Sequence, residues 1–325
     1  MRFSAHVPTA AEGLAYPAPF ATADDLVRIA VAAERFGFDG VWGNDHLTTQ
    51  AYVKEHWPEP PNYYDILISL SFIAAATERI EIGTALLIPT MRFVPALAKQ
   101  LATLDQFSGG RLRVGVGVGA YREEFEAVRP TESKTAHRGD WLDESIEAMR
   151  LLFTEREATY TGKYVEFAAV ESYPKPLQTP LPIYIGGHGE QAIERAARVG
   201  DGWLPGWQPF PEMKRRIELL REQANGRPVE VAPQLSVTLG KTQEAAEASY
   251  WDSQLVRHRK SLAYTGRDLS LQVEANLVGS PEGVREKIEA FAEIGVDHCC
   301  AMWFTGDTVD EMLEQMQWFA EEVMA

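Results

Sequence analysis

Cysteine is scarce in this sequence, and its placement excludes a small scaffold held together by disulfides. The 325-residue chain has two cysteines, Cys299 and Cys300, which are adjacent. In a strand-like run, neighbouring side chains point to opposite faces of the sheet. We therefore expect two free thiols, which are typical of proteins in a reducing cytoplasm.

Positive charge is also in short supply. The chain has 31 Lys and Arg against 47 Asp and Glu, which gives a formal net charge of −16. Nucleic acids and anionic membranes bind to basic surfaces, so the charge balance argues against both as partners. An anionic small ligand remains compatible with the sequence, but only through local basic groups or helix N-termini.

Long hydrophobic runs are absent as well. The longest uncharged apolar stretch covers residues 82–91, whereas a transmembrane helix needs about 20 residues. The first residues do not resemble a secretory signal peptide, because Pro8 follows a short strand-like run. These features predict a cytoplasmic protein without a membrane partner.

No low-complexity tract and no linker rich in Pro, Gly and Ser divides the chain. Length alone allows either two domains or one large α/β barrel. The lack of a linker favours a single domain over residues 1–325. It disfavours the rival architecture, a doubly wound sheet with a second domain.

The central part of the sequence, residues 80–125, has the pattern of a strand, a helix, a second strand and a loop. Residues 80–88 are largely apolar, as in a parallel strand covered on both faces. Pro89 ends this run, a helical spacing of apolar residues continues to Phe107, and residues 111–115 form the next strand-like run. The pattern predicts a βαβ unit with a right-handed crossover.

Eight strand-like runs, mostly alternating with helical patterns, predict a (β/α)8 TIM barrel. They cover residues 2–7, 38–42, 80–88, 111–115, 182–187, 201–205, 229–239 and 296–304. Insertions are predicted after strands 4 and 7. The first includes a hairpin with Gly162 at its turn, and the second, residues 241–272, is polar and charged and is interpreted as helical. Residues 47–62 are interpreted as a loop rich in Pro, Trp and Tyr.

In such a barrel, the residues that follow the carboxyl ends of the strands face one shared mouth. Here those positions are rich in glycine and aromatic residues and poor in paired carboxylates, which favours a pocket for a large flat ligand. The chain has seven His but no His-x-His, H-E-x-x-H or G-x-S-x-G motif. We therefore expect neither a catalytic metal site nor a nucleophilic hydrolase.

One loop at this mouth has the sequence of an anion site. A strand ends and a helix begins at Gly186, Gly187, His188, Gly189 and Glu190. Glycines let the backbone approach a ligand, and the first N–H groups of a helix are available to a phosphate. An ordinary tight turn between strand and helix is the alternative.

Four blocks of the sequence resemble the bacterial luciferase-like monooxygenase superfamily. They are FDGVWGNDH, the run from Ile80 to Gly119, PIYIGGHGEQAIERAARVGDGWLP and GSPEGVREKIEAFAEIGVDH. The blocks keep the order they have in that superfamily and cover most of the chain. Within it, the sequence most resembles the branch of coenzyme F420-dependent oxidoreductases.

The resemblance implies a (β/α)8 barrel that binds a flavin or deazaflavin at its mouth. It also implies a non-prolyl cis peptide between Ala85 and Leu86. Luciferase-type FMN enzymes place an arginine where this sequence has Val118, and this departure favours F420 over FMN. By position, the resemblance assigns cofactor contacts to Asp45, Thr84, Ala85, Leu86, Val118 and the backbone of Gly186, Gly187, His188, Gly189 and Glu190.

The resemblance places Asp45 and His46 near the ring and the substrate, which makes His46 the candidate catalytic residue. Histidine is also the side chain whose ordinary pKa lies closest to neutral. Its alternative role is a structural hydrogen bond that joins Asp45 to backbone. Core packing is an equally good explanation for some of the aromatic residues that are candidates for the substrate pocket. The candidates for that pocket are His6, Trp42, Trp57, Trp203 and Trp303.

The leading hypothesis is an oxidoreductase that transfers hydride between F420 and a small organic substrate. The aromatic loop at residues 52–64 favours a substrate that is partly apolar. An FMN-dependent monooxygenase that uses reduced flavin and O2 is the second hypothesis, and a non-catalytic flavin-binding protein is the third. The resemblance also implies a homodimer.

Overall fold

A ring of parallel strands forms the centre of the structure, a computed structural model that describes residues 1–262 and 268–325. In chain order the strands of the structure are β1 (Arg2–Val7), β2 (Gly40–Gly43), β3 (Glu81–Leu87), β4 (Leu112–Val116), β5 (Ala158–Thr161), β6 (Glu166–Val170), β7 (Ile183–Gly186), β8 (Gly202–Leu204), β9 (Glu230–Val231), β10 (Gln234–Leu239), β11 (Leu277–Gly279) and β12 (His298–Phe304). β5 and β6 form a separate sheet outside the ring.

Helices follow most of these strands and cover the outside of the ring. They are α1 (Ala23–Phe36), α2 (Ala51–His56), α3 (Ile66–Ala76), α4 (Val94–Phe107), α5 (Arg122–Val128), α6 (Arg138–Thr154), α7 (Glu190–Val199), α8 (Phe210–Ala224), α9 (Gln243–Asp252), α10 (Gln254–Ser261), α11 (Pro281–Glu293) and α12 (Val309–Glu322). The alternation of parallel strands and helices confirms the predicted α/β class.

The ring closes through the seventh strand. β12 pairs in parallel with β1 on one side and with β10 on the other, and β8 pairs with β9. β9 and β10 are two parts of one strand, because the Ala232 N–H donates to the Trp203 carbonyl while the Cys300 N–H donates to the Pro233 carbonyl, both at 2.9 Å. The predicted TIM barrel is confirmed.

The structure corrects several local predictions. Residues 229–239 form two strand segments rather than one, and the interruption coincides with Pro233, which has no N–H to donate. Residues 47–62 are not only loop, since they contain α2. The short strand β11 was not predicted, and it pairs in parallel with β10.

Both predicted insertions are present. β5 and β6 form an antiparallel pair, and the Gly162 N–H at their turn donates to the Val165 carbonyl at 2.9 Å. α9 and α10 make the second insertion helical. Part of that prediction, residues 263–267, lies outside the residues that the structure describes.

A network of charged groups closes the amino end of the barrel. Arg2 forms a 2.6 Å ion pair with Glu81, and His298 lies 3.1 Å from Glu230. Burial of Glu230 acts to raise its pKa, but His298, Arg2 and a hydrogen bond from Tyr184 outweigh it and lower the pKa to about 2. Because this end is filled by paired charges, the open end of the barrel is at the carboxyl ends of the strands.

Two expectations about bulk properties can be compared with the structure. Cys299 and Cys300 are both buried free thiols, as predicted. Over residues 1–262 and 268–325, none of the helices combines the length and the apolar composition needed to cross a membrane.

Candidate functional site

A cavity of about 560 Å³ opens at the carboxyl ends of the strands. Its walls come from Trp303 in β12 and from residues at or after the ends of β1, β2, β3, β4, β7 and β8, together with α10. This position is the mouth that a TIM barrel uses for binding and catalysis. The volume is that of a pocket for a small organic ligand or cofactor.

The cavity wall includes nine of the residues that the sequence predicted for the site: Asp45, His46, Ala85, Leu86, Val118, Gly186, Gly187, His188 and Trp303. Buried positions beneath the wall hold Thr84, His6, Trp42 and Trp203. Gly189 and Glu190 are exposed at the start of α7. Trp57 lines a separate groove between α2 and α10.

The aromatic residues predicted for the substrate pocket therefore separate into pocket and core. Trp303 lines the cavity, and its ring stacks on His6 at a centroid distance of 3.4 Å. Trp42 is buried in the barrel, where a Cβ at Gly83 would come within 2.2 Å of its ring. Trp203 is also buried, and its indole Nε1 donates to the Gly187 carbonyl at 2.7 Å. Trp42 and Trp203 thus support the pocket from inside the core.

The peptide bond between Ala85 and Leu86 is cis, as the family resemblance implied. The pairing register of β3 and β4 shifts between Thr84 and Leu87, so the bond lies in a bulge. The Thr84 hydroxyl donates to the Gly115 carbonyl at 2.7 Å and fixes the start of that bulge. Thr84 therefore acts on the shape of the wall from behind it.

The Leu86 side chain is enclosed by glycines. A Cβ at Gly186 would come within 2.0 Å of Leu86 Cδ1, and a Cβ at Gly117 within 2.7 Å of the same atom. Both positions are therefore glycine because Leu86 occupies the space that a side chain would need. This arrangement gives the cavity a smooth apolar wall formed by Leu86 and backbone.

Asp45 is held by a salt bridge at the edge of this wall. The Arg92 guanidinium donates to both of its carboxylate oxygens, at 2.7 and 3.3 Å, and the Ile88 N–H donates to one of them at 3.1 Å. Arg92 also reaches Asp65 at 3.2 Å. Burial raises the pKa of Asp45, and Arg92 opposes that shift. The carboxylate thus connects the segments after β2 and β3.

His46 has a different partner from the one that the sequence suggested. Its Nδ1 lies 2.9 Å from Oε2 of Glu124 and 3.0 Å from the side-chain amide of Gln50, not against Asp45. A carboxylate is an acceptor, so Nδ1 carries the proton and donates to Glu124, and the Gln50 amide is then a neighbour of Nδ1 and not a donor to it. Nε2 is then the atom of the ring that can take up or release a proton.

Glu124 is a functional candidate that the sequence analysis missed. It is 2% exposed, and its Oε1 accepts a 2.6 Å hydrogen bond from the Leu47 N–H. Burial acts to raise the pKa of Glu124, but the hydrogen bonds from His46 and from the backbone of Leu47 and Thr48 outweigh it and lower the pKa. In the sequence, the one feature that could have indicated a role for Glu124 in the site was its position shortly after the fourth strand.

A second histidine, His258 on α10, contacts Tyr121, whose ring is also close to His46. Its Nε2 lies 2.8 Å from the Tyr121 hydroxyl, and the Tyr121 ring lies 5.6 Å from the ring of His46. Burial, Arg259 and His46 lower the pKa of His258 to about 4. The side chain is therefore neutral at neutral pH.

The loop after β4 has a guanidinium behind it. Val118 lines the cavity, and the Arg138 side chain donates to the carbonyls of Val118 and Gly119 at 3.2 and 2.9 Å. The basic group comes from α6 rather than from position 118. Its contacts are to backbone carbonyls, so it fixes the loop.

The loop after β7 is preorganised in the way that an anion site requires. Gly187 has φ 113°, a left-handed conformation that favours glycine. Its carbonyl is fixed by Trp203, and Gly189 is the N-cap residue of α7. The ten-residue helix α7 therefore begins at the edge of the cavity, where its first N–H groups are available to an anion.

A catalytic metal site would need several ligand side chains that converge on one point. Over residues 1–262 and 268–325, no group of three or more His, Cys, Asp or Glu side chains is placed to hold a metal ion. Three histidines line the cavity, and two of them, His46 and His258, contact Glu124 and Tyr121 respectively.

The fold and the cavity are those of a ligand-binding (β/α)8 barrel enzyme. A model of the family described as luciferase-like monooxygenase matches residues 1–298. The chain belongs to the luciferase-like monooxygenase family.

Relatives in this family include dehydrogenases that are named for coenzyme F420. The chain is 28% identical over 295 residues to the F420-dependent glucose-6-phosphate dehydrogenase of Amycolatopsis mediterranei (strain U-32), covering 90% of this chain and 84% of that protein. It is 35% identical over 180 residues to the enzyme of the same name from Kineococcus radiotolerans. That match covers 55% of this chain and about half, 51%, of the relative.

A monooxygenase has a similar structure. The crystal structure of monooxygenase RslO1 from Streptomyces bottropensis superimposes with a TM-score of 0.81. It covers 100% of this chain and 99% of its own, at 25% sequence identity. The family resemblance therefore includes dehydrogenases and monooxygenases alike.

The residues of the cavity fit a flat tricyclic ring. Leu86 and the cis peptide before it present an apolar wall, and the glycines at 117 and 186 let backbone approach it. The loop after β7 provides N–H groups at the edge of the same cavity. A ring with a phosphate-bearing tail combines these two requirements.

Proposed function

We propose that this protein is an F420-dependent oxidoreductase that acts on a small, partly apolar organic substrate. The observation that carries the proposal is the position of the His46–Glu124 pair on the same cavity as the Ala85–Leu86 wall. Hydride transfer to or from F420 needs a group that transfers protons and a surface that holds a flat ring. The His46–Glu124 pair and the Ala85–Leu86 wall provide these two parts. Relatives named as F420-dependent dehydrogenases support the choice of cofactor.

F420, when bound, supplies the acceptor or donor of hydride, and the protein provides orientation and proton transfer. Ala85 and Leu86 line the cavity and would contact the ring. The N–H groups from Gly187 to the start of α7 would hold its phosphate. Nε2 of His46 takes up or releases the proton that accompanies hydride transfer. Glu124 fixes the imidazole ring through its contact with Nδ1.

An FMN-dependent monooxygenase is the second candidate function. It is supported by the monooxygenase whose structure superimposes over the whole chain. Position 118 argues for F420, because the resemblance places an arginine there in FMN enzymes and this chain has Val118. The basic group nearest to that position, Arg138, is engaged by backbone carbonyls.

A parallel titration of the purified apoprotein with F420 and with FMN tests the proposal. We expect F420 to bind at least about tenfold more tightly, a difference of about 1.4 kcal/mol. Absorbance and fluorescence of each cofactor report binding without any substrate. Equal affinities, or tighter binding of FMN, would contradict the proposal and favour the monooxygenase.

We also propose that the protein is a cytoplasmic homodimer. Large apolar side chains are exposed on α3 and at the start and end of α4, which pack together on the outside of the barrel. They are Ile68, Phe72, Phe93 and Phe107, with exposures of 63%, 68%, 69% and 79%. Ile68 and Phe72 are four positions apart on α3 and so lie on one face, and adjacent exposed apolar side chains mark interaction surfaces in soluble proteins. The buried free thiols at 299 and 300 support a reducing compartment.

A further inference from the structure

The cavity wall contains a guanidinium that, among the described residues, forms hydrogen bonds only with neutral side chains. Arg259 lines the cavity from α10, and its Nη2 donates to the Ser236 hydroxyl at 2.8 Å. Its Nη1 donates to the Gln272 side-chain oxygen at 3.0 Å and to the Tyr250 hydroxyl. The guanidinium also lies over the ring of Trp207, 5.4 Å from its centroid. These contacts hold the side chain in place without neutralising its charge.

No carboxylate in the described part of the chain forms an ion pair with Arg259. The 21 ion pairs of residues 1–262 and 268–325 do not include it. Residues 263–267 have the sequence Ala-Tyr-Thr-Gly-Arg, which contains no acidic residue. Arg259 is the only arginine among the described residues that line the cavity, in a chain with a net charge of −16. Removing a charge from water is costly unless an opposite charge and hydrogen bonds compensate.

The preceding residue provides an independent observation. His258 also lines the cavity and is 6% exposed. Its Nδ1 has no hydrogen-bond partner among the residues described. When the Tyr121 hydroxyl donates to Nε2, Nδ1 carries the proton and is a donor. A buried donor without a partner costs free energy, and an acceptor on a ligand would remove that cost.

We propose that Arg259 and His258 form a subsite for an acidic group of the substrate, a carboxylate or a phosphate. The inference rests on the proposed function, because it assigns one end of the substrate of that reaction. The guanidinium presents several N–H donors to an anion, and Trp207 beneath it presents a flat apolar surface. The substrate class that fits is an organic acid or phosphate ester with an apolar part.

The placement of the subsite assigns it to substrate rather than to the cofactor. The cofactor phosphate is expected at Gly187, after β7, whereas Arg259 and His258 are on α10, after β10. His258 is joined to Tyr121, whose ring lies 5.6 Å from the ring of His46. A substrate held by its acidic group at Arg259 therefore extends along the cavity toward the proton-transfer group.

The neighbouring cation Arg257 offers a matched control on the same helix. It is exposed, it forms a 3.1 Å ion pair with Asp252, and it lines the outer groove rather than the cavity. Arg257→Gln and Arg259→Gln remove the same charge from α10. Only the second change alters the cavity wall.

Calorimetric titration of the F420-saturated protein with inorganic phosphate and, separately, with acetate tests the subsite. Saturation with F420 occupies the loop at Gly187, and the two anions distinguish a phosphate site from a carboxylate site. We expect Arg259→Gln to weaken the better-bound anion at least about tenfold, which corresponds to about 1.4 kcal/mol. Arg257→Gln is expected to leave it within about twofold. F420 affinity should change less than about threefold in both variants.

A second variant guards against loss of folding. Arg259→Lys keeps the charge but not the planar group of donors, so we expect it to fold and to retain anion binding with a loss of less than about tenfold. The proposal is overturned if Arg259→Gln binds both anions like the wild type, or if neither anion binds to the wild-type protein. It is also overturned if Arg259→Gln lowers F420 affinity by the same factor as anion affinity.

Failure of the proposed function has a different signature. If F420 does not bind to the wild-type protein, the cofactor assignment is wrong, and the same titrations are done on apoprotein. Phosphate bound at Gly187 is insensitive to Arg259→Gln, whereas phosphate bound at the subsite is lost in that variant. The two conclusions are therefore decided by separate measurements.

Discussion

Nδ1 of His46 lies 2.9 Å from Oε2 of Glu124, although the two residues are 78 positions apart in the sequence. His46 follows β2 and Glu124 is in α5, so the barrel brings them together at its mouth. The contact fixes the tautomer of the imidazole and leaves Nε2 as its basic atom. The pair is the part of the cavity that has the means to transfer a proton.

Glu124→Gln should lower kcat about 10- to 100-fold, a smaller loss than the roughly 10²–10⁴-fold expected for His46→Ala. The glutamine keeps a similar shape but lacks the negative charge that stabilises the cationic form of the imidazole. The pH profile of kcat should therefore move to lower pH in Glu124→Gln. Steady-state kinetics across pH, with F420 affinity measured in parallel, check both effects.

Glu123→Gln is the matched control for that variant. Glu123 is the neighbouring residue of α5, is exposed, and accepts a hydrogen bond from the Ala51 N–H. We expect its kcat and its pH profile to match those of the wild type. If Glu124→Gln keeps the wild-type pH profile, Glu124 has only a structural role.

Gly186→Ala should weaken cofactor binding at least about tenfold, or about 1.4 kcal/mol. The new Cβ would lie 2.0 Å from Leu86 Cδ1, so the Leu86 side chain must move, and Leu86 is part of the cavity wall. Fluorescence titration with F420 measures the effect. In Gly189→Ala the new Cβ meets no atom within 4 Å. Comparable losses in the two variants would show that the loop, and not Leu86, is responsible.

Phe72→Asp should convert the proposed homodimer into monomers. Phe72 is 68% exposed in the apolar surface of α3 and α4, and a buried carboxylate without a partner is costly at an interface. Size-exclusion chromatography with light scattering measures the change. Val31→Asp is the control, because Val31 is 42% exposed on α1 and outside that surface. A monomeric wild-type protein would refute the dimer.

The pH dependence of stability should change in His6→Gln. Burial lowers the pKa of His6 from 6.5 to about 3, although a hydrogen bond with Asn44 opposes the shift. Below about pH 6.5 the unfolded chain binds a proton at His6 that the folded chain does not, so stability falls with pH until about pH 3. This loss amounts to about 1.4 kcal/mol per pH unit.

Urea unfolding at pH 7, 6 and 5 measures that difference. From pH 7 to pH 5 the wild type should lose about 2 kcal/mol more than His6→Gln, because the variant lacks the titrating group. The variant is expected to be less stable at pH 7, because glutamine cannot stack on the Trp303 ring as His6 does. Parallel pH curves for the two proteins would show that His6 is protonated in the folded state.

Much of the fold was predictable from local pattern. The apolar runs at 80–88 and 111–115 and the helical spacing between them predicted β3, α4 and β4. Burial on both faces of a parallel strand requires such runs, and helices that cover a sheet require one apolar face. The Ser280–Pro281 pair begins α11, and the Ser280 hydroxyl accepts from the Gly283 N–H. These features depend on neighbours in the sequence.

The family resemblance extended the prediction to the cavity wall. It placed Ala85, Leu86 and Gly187 at the mouth, and the structure has all three there. It did not separate Trp303, which lines the cavity, from Trp42 and Trp203, which fill the core. A tryptophan near the end of a strand has the same sequence pattern whether its ring lines the cavity or fills the core.

The tertiary structure alone decided which distant side chains act together. The sequence determined the strands, the helices, the glycine loop and the candidate His46, because each is specified by short-range backbone preferences and burial. It did not determine that Glu124 reaches His46, that Arg138 supports Val118, or that an insertion places His258 and Arg259 on the cavity wall. Closure of the barrel brings these groups to one mouth, and no spacing along the chain encodes distances across a closed ring.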